Sequence, residues 1–289
     1  MPDLSVVIAA VDGRADVLDA VTAVRGQDRS DALEVILAGN AGHPGIAAAR
    51  RVPGVTVIES GTPKLVPELW GLGIAASRGA VIGITMAGCV PAPHWVEAMR
   101  RAHRTDAAAV GGPIEQGWPA SIGDWALYFA RYAAYMGPFE ERAVSDVPGD
   151  NGSYKRDAIA QDLEEIGRRG FWETEINLRL RRRGAKLVMR PDLAVWHTHS
   201  YGIAGFSRQR WQHGKLHGRS RSKGGSFPAR AVRAVAAPLA WASMLVRVTT
   251  HVARRRRHRL RFAMALPLIA WFYLCWIGGE VAGLLGPAE

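Results

Sequence analysis

Residues Leu4–Ala10 read LSVVIAA. Seven uncharged residues rich in β-branched side chains, set between Asp3 and an Asp12-Gly13-Arg14 turn, have the length and composition of a strand buried on both faces. Similar runs return at Glu34–Leu37 (EVIL), Val55–Glu59 (VTVIE) and Ala80–Thr85 (AVIGIT). Between and after them, Ala15–Arg25, Pro67–Ser77 and Pro93–His103 read as helices, and a short strand is expected at Ala107–Val110. Strands alternating with helices predict an α/β class with a parallel, doubly wound sheet, whose ligand meets the carboxyl ends of the strands. No G-x-G-x-x-G and no Walker loop occurs, which excludes the ordinary dinucleotide and P-loop readings.

Composition narrows the class further. With 289 residues, 48% hydrophobic and 22% charged, the chain has the balance of one large or two small folded domains and not of a disordered polymer. Its two cysteines, Cys89 and Cys275, stand far apart in unlike surroundings, so neither a disulfide framework nor a zinc cluster is expected, and a reducing compartment fits. The net charge of +11 conceals an asymmetry: residues 1–150 hold 12 Lys/Arg and 17 Asp/Glu, whereas residues 151–289 hold 25 and 9. From Ser200 to Arg261 there are 15 basic residues and no acidic one. An anionic partner is implied, either nucleic acid or a membrane face.

The sequence beyond the basic stretch favours the membrane. Phe262–Leu285 (FAMALPLIAWFYLCWIGGEVAGLL) runs for 24 residues with Glu280 as its one residue of the Asp, Glu, Lys and Arg set, long enough to cross a hydrocarbon core of about 30 Å. A weaker apolar segment, Ala231–Val248, is interrupted by Arg233, Pro238 and Arg247. Because basic stretches flank that segment on both sides, the positive-inside rule is met most simply if it lies in the interface and only the last helix crosses. Regularly interleaved aromatic residues are missing from the basic stretch, which argues against nucleic acid as the partner. No signal peptide is expected, since Asp3 stands where a basic leader would begin.

Several segments, in order, carry a resemblance. The opening strand with its Asp12-Gly13-Arg14 turn, GIAASRG at Gly73–Gly79, GCVPAPHW at Gly88–Trp95, PGDNGSYKRDAI at Pro148–Ile159 and GFWETEINLRLRRRG at Gly170–Gly184 together resemble family 2 glycosyltransferases; WIGGEVAGLLGP at Trp276–Pro287 resembles the membrane tail of bacterial members. The resemblance implies a GT-A (Rossmann-like) α/β fold with a doubly wound mixed sheet over residues 1–225, followed by a basic juxtamembrane segment and membrane-associated helices over 226–289. It also implies inverting transfer of a sugar from a nucleotide-diphosphate donor to a hydroxyl acceptor, in envelope glycan or glycolipid synthesis. The expected partners are that donor, a glycan or lipid-linked acceptor and an anionic membrane, with the catalytic domain on the cytoplasmic side.

Inverting transfer needs a carboxylate to take the acceptor proton and positive charge to stabilise the departing diphosphate. The resemblance places Glu173 at the base position, with Glu175 in reserve. It assigns Ala9, Asp12, Arg14, Arg78 and Gly88 to the donor, and Asn151, Tyr154, Arg156, Arg210 and Trp211 to the acceptor or phosphates. Lys155 and Arg208 are further basic candidates, and His197, with His199 nearby, is the candidate metal ligand. The departures are as informative. Where the family has an acidic metal-binding cluster stand Met86, Ala87 and Gly88, and the sequence after Leu37 is Ala38-Gly39-Asn40 in place of nucleotide-binding aspartates. None of Met86, Ala87 and Gly88 offers a side-chain oxygen to Mg²⁺ or Mn²⁺. Two readings follow: a transferase that neutralises the diphosphate with basic groups or a differently held divalent metal, or a membrane-bound scaffold that kept the fold and lost the chemistry.

Overall fold

The computed structural model describes residues 2–11, 17–117, 119–222 and 226–286. In chain order these form β1 (Leu4–Ala10), α1 (Val17–Arg25), β2 (Leu33–Asn40), α2 (Pro44–Ala49), β3 (Val55–Ser60), α3 (Val66–Ala76), β4 (Val81–Met86), β5 (Cys89–Pro91), α4 (Trp95–Ala102), β6 (Ala109–Gly111), β7 (Ile114–Gln116) and α5 (Ile122–Tyr132). There follow β8 (Arg142–Ala143), β9 (Asn151–Lys155), α6 (Leu163–Arg169), α7 (Glu173–Arg182), β10 (Leu187–Met189), β11 (Val195–His197), α8 (Gly202–Ser222), α9 (Phe227–Val235), α10 (Ala237–Arg255) and α11 (Arg259–Leu285). The main sheet has the order β3-β2-β1-β4-β9-β6-β10-β8, and a small sheet has the order β5-β11-β7.

The expected strand Leu4–Ala10 is the buried centre of the sheet, with its side chains fully sequestered. It pairs in parallel with β2 and β4, as doubly covered apolar strands do. The sheet is nevertheless mixed, not all parallel. β9 enters between β4 and β6 and runs antiparallel to both, with Asn151 opposite Thr85 and Lys155 opposite Val81. Alternation along the first hundred residues does not reveal this, because β9 arrives only after a long excursion through β5 to β8 and the helices α4 and α5.

The described chain forms two compact units. One unit contains Met1–Gly117 and Gly137–His199; the other contains Trp118–Met136 and Ser200–Glu289. The second unit is interleaved because α5 and α8 both pack on α11. Phe129 of α5 meets Phe262 edge to face with centroids 5.2 Å apart, and Tyr273 donates to the Ala130 carbonyl at 3.3 Å. α8 and α11 approach backbone to backbone: a Cβ added at Gly214 would lie 1.9 Å from the Trp276 carbonyl oxygen, and one added at Gly279 would lie 2.1 Å from that of Trp211. Paired small residues of this kind allow helices to pack closer than side chains would permit. Trp125, Tyr128 and Tyr132 form part of the buried face of α5. The interrupted segment after Ala231 becomes α9 and α10, which meet at a 47° bend.

Candidate active site at the carboxyl ends of the strands

All the geometry in this site belongs to the first unit. Ala9 near the end of β1 lies opposite Met86 at the end of β4, and the Ala87 N–H donates to the Ala9 carbonyl at 2.9 Å. Ala9, Met86, Ala87 and Gly88 are all buried, so this floor is apolar. Gly88 is required by close approach: a Cβ there would sit 2.4 Å from Cβ of His199. The Thr198 N–H in turn donates to the Gly88 carbonyl at 2.8 Å, binding the strand end to the segment after β11. Asp12 and Arg14 lie outside the described residues.

Glu173 reaches this end of the sheet from the first turn of α7. A Cβ added at Gly149 would be 3.1 Å from the Glu173 carboxyl carbon and 2.8 Å from Cη2 and Cζ3 of Trp70. The half-buried carboxyl therefore lies beside Gly149 and the Trp70 ring, next in chain to the buried Asp150. Trp70 is fixed by its Nε1–H, which donates to the Thr85 carbonyl at 2.6 Å, and the Thr85 hydroxyl donates to the Asp150 carbonyl at 2.9 Å. One turn along α7, Asn177 is 1% exposed. Its Oδ1 accepts from the Tyr154 hydroxyl at 3.1 Å, and its Nδ2 donates to the Val147 carbonyl at 3.0 Å and to the Asp146 carboxylate. Burial pushes the Asp146 carboxyl above the ordinary carboxylate range. Asn177 thus ties α7 to the loop that contains Gly149. Trp70, Asp146 and Asn177 were not among the expected residues; a polar residue four positions after Glu173 and beside the apolar Ile176 and Leu180 is the signal that could have found Asn177.

Several expected site residues serve other ends. Glu175 turns away from Glu173 and accepts from Arg179 at 2.5 Å. Arg179 also holds Glu165 and Asp162, and those hydrogen bonds raise its pKa further above the ordinary arginine value. Arg78 pairs with Glu34 at 3.0 Å, and Arg156 donates to the Gly79 carbonyl and the Ser77 hydroxyl, each at 2.7 Å. Lys155 donates to the Thr105 carbonyl at 2.6 Å. These three basic residues stand at the amino ends of β1 and β4. Because β9 runs antiparallel to β4, five residues at about 3.3 Å rise put Arg156 roughly 17 Å from Asn151. Their side chains support the sheet at the end away from Asn151.

Asn151 itself is at the right end but fully committed. Its Oδ1 accepts from Trp95 Nε1–H at 3.0 Å, and its Nδ2 donates to the carbonyls of Pro113 at 3.0 Å and Leu193 at 2.6 Å. Tyr154 is likewise a buried support for α7, not a surface for an acceptor. His197 and His199, 1% and 4% exposed, lie on the inward face of β11 and the segment after it, with His197 opposite Cys89 and Gln116. Among the described residues no group of three or more His, Cys, Asp or Glu side chains is arranged to hold a metal ion. The donor set at Met86–Gly88 does not fit Mg²⁺ or Mn²⁺, which require oxygen ligands.

Arg210 and Trp211 belong to the second unit. The Arg210 guanidinium lies 4.9 Å over the Phe206 ring and donates towards Gln209 and His213, and burial followed by the nearby Arg131 charge pushes its pKa below the ordinary arginine value. Trp211 is 45% exposed, with the edge of its ring close to Gly278 of α11.

No protein-family model matches the sequence, and no curated protein matches it. Among solved structures, the chain is similar to the mannosyltransferase PcManGT from Pyrobaculum calidifontis in complex with GDP-Man and Mn²⁺, with a TM-score of 0.58 and 18% identity, covering 98% of this chain and 87% of that one. The chain has a glycosyltransferase fold. At that identity the likeness establishes the α/β architecture and its mixed sheet, which agree with the fold expected from the sequence.

Proposed function

We propose that this chain is an inverting glycosyltransferase of the family 2 type, which takes a sugar from a nucleotide-diphosphate donor to a hydroxyl acceptor in envelope glycan or glycolipid synthesis. The observation that carries the reading is the Glu173 carboxyl beside Gly149 and Trp70, at the carboxyl ends of the central strands. This is where α/β sheets bind ligands and where a base must meet an acceptor hydroxyl. Glu173 would accept the proton as the acceptor oxygen attacks the anomeric carbon and the nucleoside diphosphate departs. With Arg78, Lys155 and Arg156 at the opposite end of the sheet, Arg14 remains a basic candidate for the departing charge, and a metal, if used, has to be held by groups other than Met86, Ala87 and Gly88.

The acceptor is proposed to be membrane-borne and the protein to sit on the cytoplasmic face of an anionic membrane. Among the described residues one helix, α11, is long and apolar enough to cross a bilayer, and a second candidate arises if the bent α9–α10 pair is counted as one span. The exposed Val232, Leu239, Val246, Leu260 and Met264 support association of this unit with lipid. The apolar floor at Met86–Gly88 favours a second reading, a scaffold that binds without turnover. Titration calorimetry of nucleotide sugars, with and without Mn²⁺, combined with turnover of Glu173→Gln, separates the two. The enzyme reading expects donor binding that changes less than tenfold on chelation, and a hundredfold or greater loss of turnover in Glu173→Gln with donor affinity retained, the usual size of a general-base contribution. Donor binding without any sugar transfer by the wild-type chain would establish the scaffold instead.

A further inference from the structure

α10 and α11 form a hairpin whose turn is made by Arg256 and His258, both in the left-handed region at φ 54° and 55°. An open apolar cleft runs between the two helices, lined by Val246, Thr249 and Thr250 of α10 and by Ala263, Leu266 and Pro267 of α11. Its inner end is closed where Trp241 Nε1–H donates to the Ala270 carbonyl at 2.9 Å. The Thr250 hydroxyl is directed into its own helix, donating to the Val246 carbonyl at 2.8 Å, so the lining presents mainly methyl and methylene groups.

The outer end has the opposite character. Helical spacing continues the Val246–Thr250 stripe to Arg254, and carries the Pro267–Ala263 stripe back to Arg259. Both arginines are exposed, and the Arg259 guanidinium lies 3.4 Å from the Ala253 carbonyl across the turn. No acidic residue occurs between Ser200 and Arg261, and the carboxylate of Glu280 farther along α11 is held by Arg221 at 2.9 Å. Arg259 to Ala270 spans about 16 Å of helix. A hydrocarbon cleft of that length with a cationic mouth complements one molecule: an amphiphile with an anionic phosphate head.

We propose that the α10–α11 cleft is a specific site for an anionic phospholipid of the bilayer, with one hydrocarbon chain between the helices and the phosphate against Arg254 and Arg259. This rests on the membrane part of the proposed function and adds a defined ligand to it. A zwitterionic lipid would bring its own ammonium group to the same arginines and bind less well. Guanidinium forks suit phosphate oxygens, and the helices present them from both sides of the mouth.

The test uses the full chain in mixed micelles, so that it stands independently of vesicle binding. Photoreactive phosphatidylglycerol is expected to label residues 245–250 and 263–270, and native mass spectrometry to show phosphatidylglycerol retained at least tenfold over phosphatidylcholine. Arg254→Ser with Arg259→Ser should abolish that preference, and Arg254→Lys with Arg259→Lys should keep most of it. Ala263→Trp should displace the chain and the label, with helix content by circular dichroism confirming that each variant is folded. Labels spread evenly over Val232, Leu239 and Trp271, equal retention of the two lipids, or retention of a prenyl phosphate alone would each overturn the proposal. Failure of the wild-type chain to float with anionic vesicles would instead remove the membrane reading, whatever the micelle result.

Discussion

The amide of Asn151 is engaged on all three sides inside the first unit, so its removal orphans the Trp95 indole N–H and the Leu193 carbonyl, while the Pro113 carbonyl keeps the Val195 N–H as a donor. Each buried polar group left unpaired costs about 1–3 kcal/mol. With two groups orphaned, Asn151→Ala is therefore expected to lower unfolding free energy by roughly 2 kcal/mol or more, measured by denaturant titration, while any folded fraction keeps its donor affinity. Unchanged stability with lost donor binding would return Asn151 to the ligand side. His103 gives a second residue-scale prediction. Burial, assisted by the Lys155 charge, lowers its pKa from 6.5 to about 4. The Ser153 hydroxyl donates to the Val110 carbonyl, so the ring Nε2–H donates to Ser153 at 2.8 Å and Nδ1 is left bare. Protonation would add a buried N–H at Nδ1. Since the folded pKa lies below the unfolded one, this contribution is fully present above about pH 6.5 and is lost as pH falls towards 4, by on the order of 3 kcal/mol. Melting temperature should fall across that window in the wild type and fall less in His103→Gln.

At the scale of elements, α7 is positioned by Asn177 as much as by packing. Asn177→Ala frees the Tyr154 hydroxyl and loosens the Val147 contact, and Glu173 lies one turn away on the same helix face. If Glu173 is the base, the variant should lose kcat at least tenfold with the donor Kd little changed, and the Glu173 carboxyl should show an altered titration by ¹³C NMR. A loss of kcat matched by equal loss of folded protein would mean a merely structural role. The core of this layer was readable: β1 occupies Leu4–Ala10 as expected, and β2, β3 and β4 each fall within three residues of the expected bounds, because buried parallel strands leave long uninterrupted apolar runs. The three-residue strands β5, β7, β10 and β11 were not readable, since pairing and not local pattern defines so short an element. In the site, motif order offers Glu173 as the candidate base and the structure sets its carboxyl beside Gly149 and Trp70, whereas Arg78 and Arg156 stand at the amino ends of β1 and β4. Sequence says that β9 is near the site but not which way it runs, and its direction decides whether Asn151 or Arg156 lies at the ligand end.

At the scale of the molecule, the second unit is assembled from two stretches of chain separated by 137–199. Trp125 packs on His258 with centroids 4.7 Å apart, Arg261 lies 4.5 Å over the Trp125 ring, and Phe129 meets Phe262. Phe262→Ala should cost about 3 kcal/mol, and a double-mutant cycle with Phe129→Ala should show coupling of at least about 0.5 kcal/mol by denaturation of the full chain in detergent. Additive effects would mean that the two rings do not share a core. The interleaving also has a meaning for heredity. Recombination between related genes that breaks anywhere from codon 137 to codon 199 joins an α5 from one parent to an α8 and α11 from the other. Such hybrids would carry mismatched partners at Phe129 and Phe262, and their second-site suppressors would map to the α5 codons, far upstream of the lesion they repair. A donor segment moved with both blocks together, 118–136 and 200–289, would carry its own fit.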